Sequence, residues 1–202
     1  MCVLESEGLV ESRHGIGSFV TGLNEEHRGF KLSSFRGNLG EASGSLQTVV
    51  LDRIESVRKE EAARAFRLDV PLLSMIVRLW VIDGIPVVYQ ESCVVAGNWP
   101  ILQDYEPGSS LYTALSRRLQ VVISRATETL TVSAPPPNVA HVLDISPGTA
   151  LFFSERVSMD AGGTAVLFDH AYMRSDRVSV PLSRNGNTAD LRYVIGEEER
   201  PQ

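Results

Sequence analysis

The sequence lacks the features that mark several classes of protein. Its 202 residues include only two cysteines, Cys2 and Cys93, which are too few for a disulfide framework or a cysteine-rich metal site. No basic segment followed by an apolar one marks a signal peptide. The longest nearly apolar run, residues 72–82, is interrupted by Arg78 and is far shorter than the roughly 20 residues of a membrane helix. We therefore expect a cytoplasmic protein with no membrane partner.

Basic charge is also scarce. The chain has 19 Lys and Arg residues against 25 Asp and Glu residues, which gives a formal net charge of −6. This balance excludes a surface coated with positive charge for non-specific binding of nucleic acid. It leaves room for a small local basic contact.

Catalytic and metal-binding motifs are missing as well. The sequence contains no P-loop, no His-Glu-x-x-His, no nucleophile elbow and no dinucleotide fingerprint after a strand. Its four histidines lie at spacings that do not suit a shared metal ion: His14, His27, His141 and His170. The sequence therefore predicts no catalytic residue, no metal and no cofactor, and the protein is not expected to be an enzyme.

What is present is an alternation of strands and short helices. Apolar and β-branched patterns predict strands over residues 46–57, 74–82, 86–95, 121–132, 150–159 and 164–174. Helix-forming segments cover residues 59–68, 109–119 and 138–143. Turn residues at 83–84 and 160–163 join consecutive strands into hairpins. Hairpins with interspersed helices predict an α+β fold with a mainly antiparallel sheet.

The two ends of the chain differ from this central region. Residues 1–22 read as a helix end followed by a hairpin around Gly15 and Gly17, with no room for a core of their own. Residues 23–45 are rich in Gly, Ser and Asn and predict a linker. The main domain then covers residues 46–182, and residues 183–202 are expected to form a polar tail, apart from the more apolar residues 191–195.

Arg78 is the most informative residue of the first hairpin of the main domain, residues 74–95. Strand alternation places Arg78 and Trp80 on the same face of an otherwise apolar strand. One interpretation is a half-exposed strand in which Arg78 pairs with Glu91. The other is a pocket wall in which the guanidinium binds an anionic or carbonyl group. A two-residue loop would place Tyr89 opposite Arg78, and a three-residue loop with a bulge would place Gln90 there.

Three further side chains are candidates for ligand binding. Ser110 and Tyr112 open the predicted helix 109–119, where hydroxyls and free backbone N–H groups can meet a ligand oxygen; alternatively Ser109 caps the helix and Tyr112 packs. Asp169 lies in an apolar strand and needs a partner or a ligand. Its neighbour Tyr172 falls on the opposite face, so only one of the two can face a given pocket.

Several segments together resemble a known family. Residues 4–20, LESEGLVESRHGIGSFV, resemble the end of the winged helix-turn-helix domain of GntR-superfamily bacterial transcription regulators. The rest resembles the UTRA ligand-sensing domain of the HutC branch, which has a chorismate-lyase-like α+β fold. The matching segments are Arg78-Leu79-x-x-x-Asp83-Gly84-x-Pro86, Ser110-Leu111-Tyr112 and Tyr172-x-Arg174-x-Asp176-Arg177.

This resemblance implies a homodimeric regulator, a repressor or an activator, whose UTRA domain binds a small metabolite and thereby controls DNA binding. It implies an effector site formed by Arg78, Trp80, Gln90, Ser110, Tyr112, Asp169 and Tyr172. It also implies that residues 1–22 are the remnant of a winged domain, whose wing contacts DNA through Arg13, His14 and Gly15. The missing first helices imply that operator DNA is bound only through a full-length winged domain.

Departures from the family pattern refine this expectation. Trp80 stands where some relatives carry a second arginine, and Gln90 stands where they carry a glutamate. We therefore expect an effector with less charge than a sugar phosphate and with an apolar or ring face that stacks on Trp80. Two alternatives remain at this stage, a lyase-like enzyme on the same fold and a metabolite-binding or dimerisation module that does not act on DNA.

Overall fold

A six-stranded antiparallel sheet forms the centre of the protein. The computed structural model describes residues 10–13, 17–20, 45–70, 72–185, 188–191 and 193–195. The sheet strands are β3 (Leu46–Arg58), β4 (Leu72–Ile82), β5 (Ile85–Val95), β6 (Ile123–Ser133), β7 (Leu151–Asp160) and β8 (Ala165–Arg174). Their order is β3-β4-β5-β8-β7-β6, and every neighbouring pair is antiparallel. The predicted α+β class with a mainly antiparallel sheet is confirmed.

Four short α-helices accompany the sheet in the part of the chain that the structure describes. They are α1 (Glu60–Phe66), α2 (Trp99–Gln103), α3 (Leu111–Leu119) and α4 (Pro137–Val142). The first turn of α1 contains two glutamates, which suit the positive end of the helix dipole, and the helix ends at Arg67 with a φ of 55°. In α3 the N-cap is Ser110, whose hydroxyl accepts a hydrogen bond from the backbone N–H of Thr113, so Ser110 rather than Ser109 has this role.

The two faces of the sheet carry separate hydrophobic clusters. On one face, which we call the α1 face, α1 and α4 pack on Leu73, Met75, Leu79 and Phe168. On the other, the α3 face, residues of α2 and α3 pack on Ile76, Val94 and Leu167. Alternation along each strand therefore decides which side chains meet α3.

The remaining strands are short. The hairpin predicted near the start is present as β1 (Val10–Arg13) paired with β2 (Gly17–Val20). Near the end, β10 (Leu182–Asn185) pairs with β11 (Thr188–Leu191), and β12 (Val194–Ile195) pairs with β9 (Val178–Ser179). The chain divides into two compact units. One contains β1, β2, β10 and β11, and the other contains the remaining strands.

Part of the segment that was predicted to be a polar tail, residues 183–202, forms short strands. Three short strands lie between residues 182 and 195. Tyr193 is only 2% exposed, and its hydroxyl donates a hydrogen bond of 2.6 Å to the Glu128 carboxylate on β6. One buried aromatic ring with a satisfied hydroxyl thus anchors the more apolar part of this segment. The acidic residues 197–200 lie outside the described residues.

Candidate functional site

A row of polar side chains crosses the α3 face. Directly opposed residues on β5, β8, β7 and β6 are, in order, Ser92, Asp169, Arg156 and Glu128. Ser92, Asp169 and Arg156 are buried, and Glu128 is half-buried. Buried polar groups of this kind need partners, since an unpaired charge in a low-dielectric interior is costly.

The hairpin formed by β4 and β5 brings Arg78 next to this row. Its loop is the two-residue turn Asp83-Gly84, in which both residues have positive φ, 48° and 80°. The register then shifts by one residue between the pairs Trp80–Val88 and Val81–Pro86. Arg78 therefore lies opposite Gln90 because a two-residue turn is combined with a bulge.

A chain of hydrogen bonds links these side chains. The indole N–H of Trp80 donates to Gln90 Oε1 at 3.1 Å, and Gln90 Nε2 donates to Asp169 Oδ1 at 3.1 Å. Ser92 receives a hydrogen bond of 2.6 Å from Arg78 Nη2 and donates a short one to the same carboxylate oxygen. Arg78 Nε is buried and has no hydrogen-bond partner among the described residues. The guanidinium thus keeps an unused donor in the interior.

The charges of the site lie in two pairs. Arg78 Nη2 is 4.0 Å from Asp169 Oδ1, and Arg156 Nη2 donates to Glu128 Oε2 at 2.8 Å. Burial raises the pKa of Asp169 above its ordinary value, although the Arg78 guanidinium and the Ser92 hydroxyl act in the opposite direction. The environment therefore favours the neutral form of this carboxyl more than water does.

Tyr105, in the loop between α2 and α3, covers Arg78. Its ring centroid lies 5.4 Å from the guanidinium carbon, and its hydroxyl is 3.4 Å from Arg78 Nη1. The hydroxyl donates to the backbone oxygen of Ser109 at 2.8 Å. On β3, Arg53 donates to the backbone oxygens of Leu102 and Tyr105 at 3.1 and 2.9 Å, which holds the start of this loop against the sheet.

An open cleft of about 630 Å³ is lined in part by Tyr105. It is bounded by α2, the loop after it and the first turns of α3, and its polar lining includes Ser109, Ser110, Arg117 and Arg118. Tyr105 is only 3% exposed but contributes to the wall of this cleft. Tyr105 therefore contacts the buried Arg78 and also borders an open cleft.

Comparison with known proteins identifies the family. A sequence profile of the UTRA domain matches residues 42–179. The chain belongs to the UTRA domain family. This confirms the predicted class of protein, the effector-binding domain of GntR-family transcription regulators. A search of curated proteins finds no match.

Solved structures show the same fold at low sequence identity. The effector domain of PhnF from Mycobacterium smegmatis is 23% identical with a TM-score of 0.59, and the match covers 66% of this chain and 83% of that chain. The structure of PhnF from the same organism is 20% identical with a TM-score of 0.66, covering 92% of this chain and 82% of that one. A GntR-family regulator from Bacillus cereus is 14% identical with a TM-score of 0.60, covering 69% and 99%.

The UTRA domain brings four of the predicted effector residues into one network. Arg78, Trp80, Gln90 and Asp169 are all buried and joined by the hydrogen bonds described above. The alternative in which Arg78 pairs with Glu91 is wrong. Glu91 faces the α1 side, where its carboxylate contacts Lys59 and the Tyr89 hydroxyl.

Ser110 and Tyr112 lie at the two sides of this network. The Tyr112 hydroxyl shares a hydrogen bond of 2.6 Å with Ser158, beside Arg156, and burial raises the pKa of this phenol. Ser110 caps α3 and lines the open cleft. Tyr112 thus contacts the buried polar row through Ser158, whereas Ser110 borders the cleft.

Tyr172 lies apart from the other predicted effector residues. It is on the α1 face, with ring centroids 4.9 Å from Phe153 and 6.1 Å from Tyr89. The reason is strand parity, because Asp169 and Tyr172 are three residues apart on β8 and face opposite sides. The ring packs in a hydrophobic cluster and does not reach Arg78.

Several residues of the site are absent from the sequence-based prediction. Ser154, Arg156 and Ser158 alternate along one face of β7, and this period of two was the signal that could have revealed them. Glu128, Tyr105 and Tyr193 gave no such signal. They come from a long strand with mixed polarity, a loop and the C-terminal segment.

The predicted DNA-contacting residues are only partly covered by the structure. Arg13 is the last residue of β1 and pairs with Gly17, while His14 and Gly15 lie outside the described residues. Within the part of the chain that the structure describes, no cluster of metal-binding side chains is found. None of the helices described there is long and apolar enough to cross a membrane.

The charge state of Asp169 leads to a testable pH dependence. A carboxyl pKa that is higher in the folded protein than in the unfolded chain stabilises the fold below the unfolded pKa, and that stabilisation is lost as the pH rises through the folded pKa. We expect the free energy of unfolding of the wild type to fall relative to that of Asp169→Asn between about pH 4 and about pH 8. Urea titrations at several pH values measure this difference. A difference that is constant with pH would contradict the raised pKa.

Proposed function

We propose that the network around Arg78 binds the small-molecule effector of a GntR-family transcription regulator. The observation that carries this proposal is the Arg78 guanidinium, which is 3% exposed, keeps a donor without a partner among the described residues and contacts a tyrosine that also lines an open cleft. A buried donor of this kind is an incomplete binding site, since a ligand oxygen would supply the missing hydrogen bond.

Access to Arg78 requires movement of Tyr105. Its hydroxyl bonds to Ser109 O and Arg78, so rotation of this side chain exchanges these hydrogen bonds for contacts with the ligand. Ser110 at the start of α3 lies in the cleft that such a ligand would occupy first. Trp80 and Tyr112 would then border the bound molecule from the sheet and from α3. The carboxylates of Asp169 and Glu128 accept hydrogen bonds and face arginines, an arrangement suited to holding a polar molecule rather than to catalysis.

Control of DNA binding follows if the loop has two arrangements, one with Tyr105 over Arg78 and one with it rotated away, and if these differ in their affinity for the effector. A tenfold change in DNA affinity needs a coupling free energy of about 1.4 kcal/mol between the two sites. The neighbouring structures named for PhnF and for a GntR regulator support this part of the proposal. The coding sequence upstream of Met1 tests it, because an in-frame helix-turn-helix is expected there.

We also propose that the protein acts as a cytoplasmic homodimer. The sheet ends in two edge strands, β3 and β6, and β3 carries the exposed apolar residues Val49 and Leu51. Analytical ultracentrifugation is expected to show a species of about twice the 22.1 kDa chain mass. A single monomeric species at all concentrations would contradict the dimer.

The effector site is tested by ligand-induced thermal stabilisation. Amino acids, organic acids, sugar phosphates and phosphonates are screened against the chain, because a ligand that binds only the folded state raises its melting temperature. We expect at least one class to stabilise the wild type and Arg78→Lys to lose at least about tenfold in affinity, since lysine cannot reproduce the planar fork of donors. Arg64→Lys, an exposed arginine on α1, is the matched control. An Arg78→Lys variant that responds like the wild type would refute the site.

A further inference from the structure

Arg78 and Asp169 form a loosely coupled pair of opposite charges in the interior. Their closest atoms are 4.0 Å apart, and Ser92 bridges them by accepting from the guanidinium and donating to the carboxylate. The two residues are 3% and 5% exposed. Each charge is therefore desolvated without a direct hydrogen bond to the other, which is an unfavourable state for both.

We infer that the effector is a zwitterion with a carboxylate and an ammonium group on the same or adjacent carbon atoms, the class of which α-amino acids are the simplest members. This inference rests on the proposed function and specifies the chemistry of the same site. The ligand carboxylate binds the Arg78 guanidinium, and the ligand ammonium binds the Asp169 carboxylate.

The hydrogen-bonding capacity of the pair fits such a ligand. Arg78 Nε has no partner among the described residues, so a carboxylate can bind the guanidinium through this donor. Both hydrogen bonds that Asp169 accepts from described residues, those of Gln90 and Ser92, end on Oδ1. An ammonium group can therefore bind Oδ2 without displacing either of them.

Charge balance in the rest of the site favours the same class. Arg156 and Glu128 neutralise each other, and Glu128 also accepts hydrogen bonds from Ser154 and Tyr193. With Arg78 and Asp169, the four charges of the site sum to zero. A zwitterion preserves that sum, whereas a ligand with a single charge leaves one buried charge uncompensated.

A simple anion would face the Asp169 carboxylate as well as Arg78. The ionisable groups that act on Asp169 are Arg78 on β4, Arg156 on β7, Glu128 on β6 and Tyr112 on α3, together with Cys93, which lies on the α1 face. An anion close to this carboxylate favours its protonation, so binding would take up a proton and weaken as the pH rises. The ammonium group of a zwitterion removes this coupling between ligand binding and protonation of Asp169.

Ligand analogues test the inference without changing the protein. The twenty protein amino acids are screened singly by thermal shift, beside benzoate and phenylphosphate as simple anions. The best amino acid is then compared by calorimetry with its deaminated acid and its decarboxylated amine. We expect each analogue, which lacks one of the two charges, to bind about ten- to a hundredfold more weakly. An analogue without the ammonium group that binds as well as the amino acid would overturn the inference.

Asp169→Asn supplies the matching change on the protein side. We expect this variant to bind the amino acid more weakly and to show a smaller difference in affinity between the amino acid and its deaminated acid. Asp176→Asn is the control: Asp176 is exposed and pairs with Arg174, so both affinities should stay unchanged. If benzoate, phenylphosphate, a sugar phosphate or another anion without an ammonium group binds in an Arg78-dependent way and no amino acid does, the zwitterion is wrong and the proposed function stands. If no compound of any class binds, both fail.

Discussion

Glu128→Gln is expected to lower the free energy of unfolding by about 3 kcal/mol, because it removes the negative charge that compensates a buried arginine. Arg156 is 4% exposed, and its guanidinium donates to Glu128 at 2.8 Å. Burial alone would lower the pKa of this arginine, yet the Glu128 carboxylate raises it above its ordinary value. The carboxylate is thus the group that keeps a desolvated positive charge in place.

A second consequence concerns the C-terminal segment. Glu128 accepts the hydroxyl hydrogen of Tyr193, so the loss of its negative charge also weakens the contact that holds residues 193–195 on the sheet. Limited proteolysis is expected to cut this segment earlier in Glu128→Gln than in the wild type. The shift in stability is measured by urea denaturation.

Glu155→Gln is the matched control for this prediction. Glu155 lies on the same sheet but on the α1 face, where its carboxylate is 3.0 Å from His170 and its side chain is 42% exposed. Solvent screens this pair, so we expect a loss below about 1 kcal/mol. Equal losses in the two variants would show that burial of Arg156 does not set the cost.

Strand parity made part of the site predictable from the sequence. Arg78 and Trp80 are two residues apart, and alternation alone places them on one face. The same rule separates Asp169 from Tyr172, although the family resemblance assigned both to the site. In this protein the local geometric rule therefore decides which of the two side chains faces Arg78.

Register was not predictable, because it depends on a single extra residue. The two-residue turn by itself would place Tyr89 opposite Arg78, and the bulge at Val87 moves the pairing to Gln90. Since neighbouring residues of a strand face opposite sides, this one-residue difference decides whether an amide or a phenol borders the guanidinium. Val87 is a β-branched residue like Val88, and nothing in its own identity marks a bulge.

Contacts between distant segments also could not be predicted from the sequence. Tyr105 meets Arg78 through a loop, and Tyr193 meets Glu128 across 65 positions. Such pairs are fixed by how the sheet, the loop and the C-terminal segment pack together, and none of these leaves a periodic pattern. The buried tyrosines were therefore the least predictable members of the site.

Arg78→Met is expected to cost about 3 to 5 kcal/mol of stability near neutral pH, because it leaves the Asp169 carboxylate buried without its cation. Methionine fills most of the volume of the arginine stem, so loss of packing contributes little. Protonation relieves the unpaired carboxylate, and burial already raises the pKa of Asp169. The loss should therefore be smaller at about pH 5 than at about pH 8.

The double variant Arg78→Met, Asp169→Asn isolates the charge pair. With both charges removed, the double variant should be more stable than the sum of the two single losses predicts, by about 2 kcal/mol. Urea denaturation of the four proteins at one pH gives this coupling free energy directly. Strict additivity would mean that Arg78 and Asp169, 4.0 Å apart across β4 and β8, act independently, and the site would then lack the electrostatic coupling on which the zwitterion inference depends.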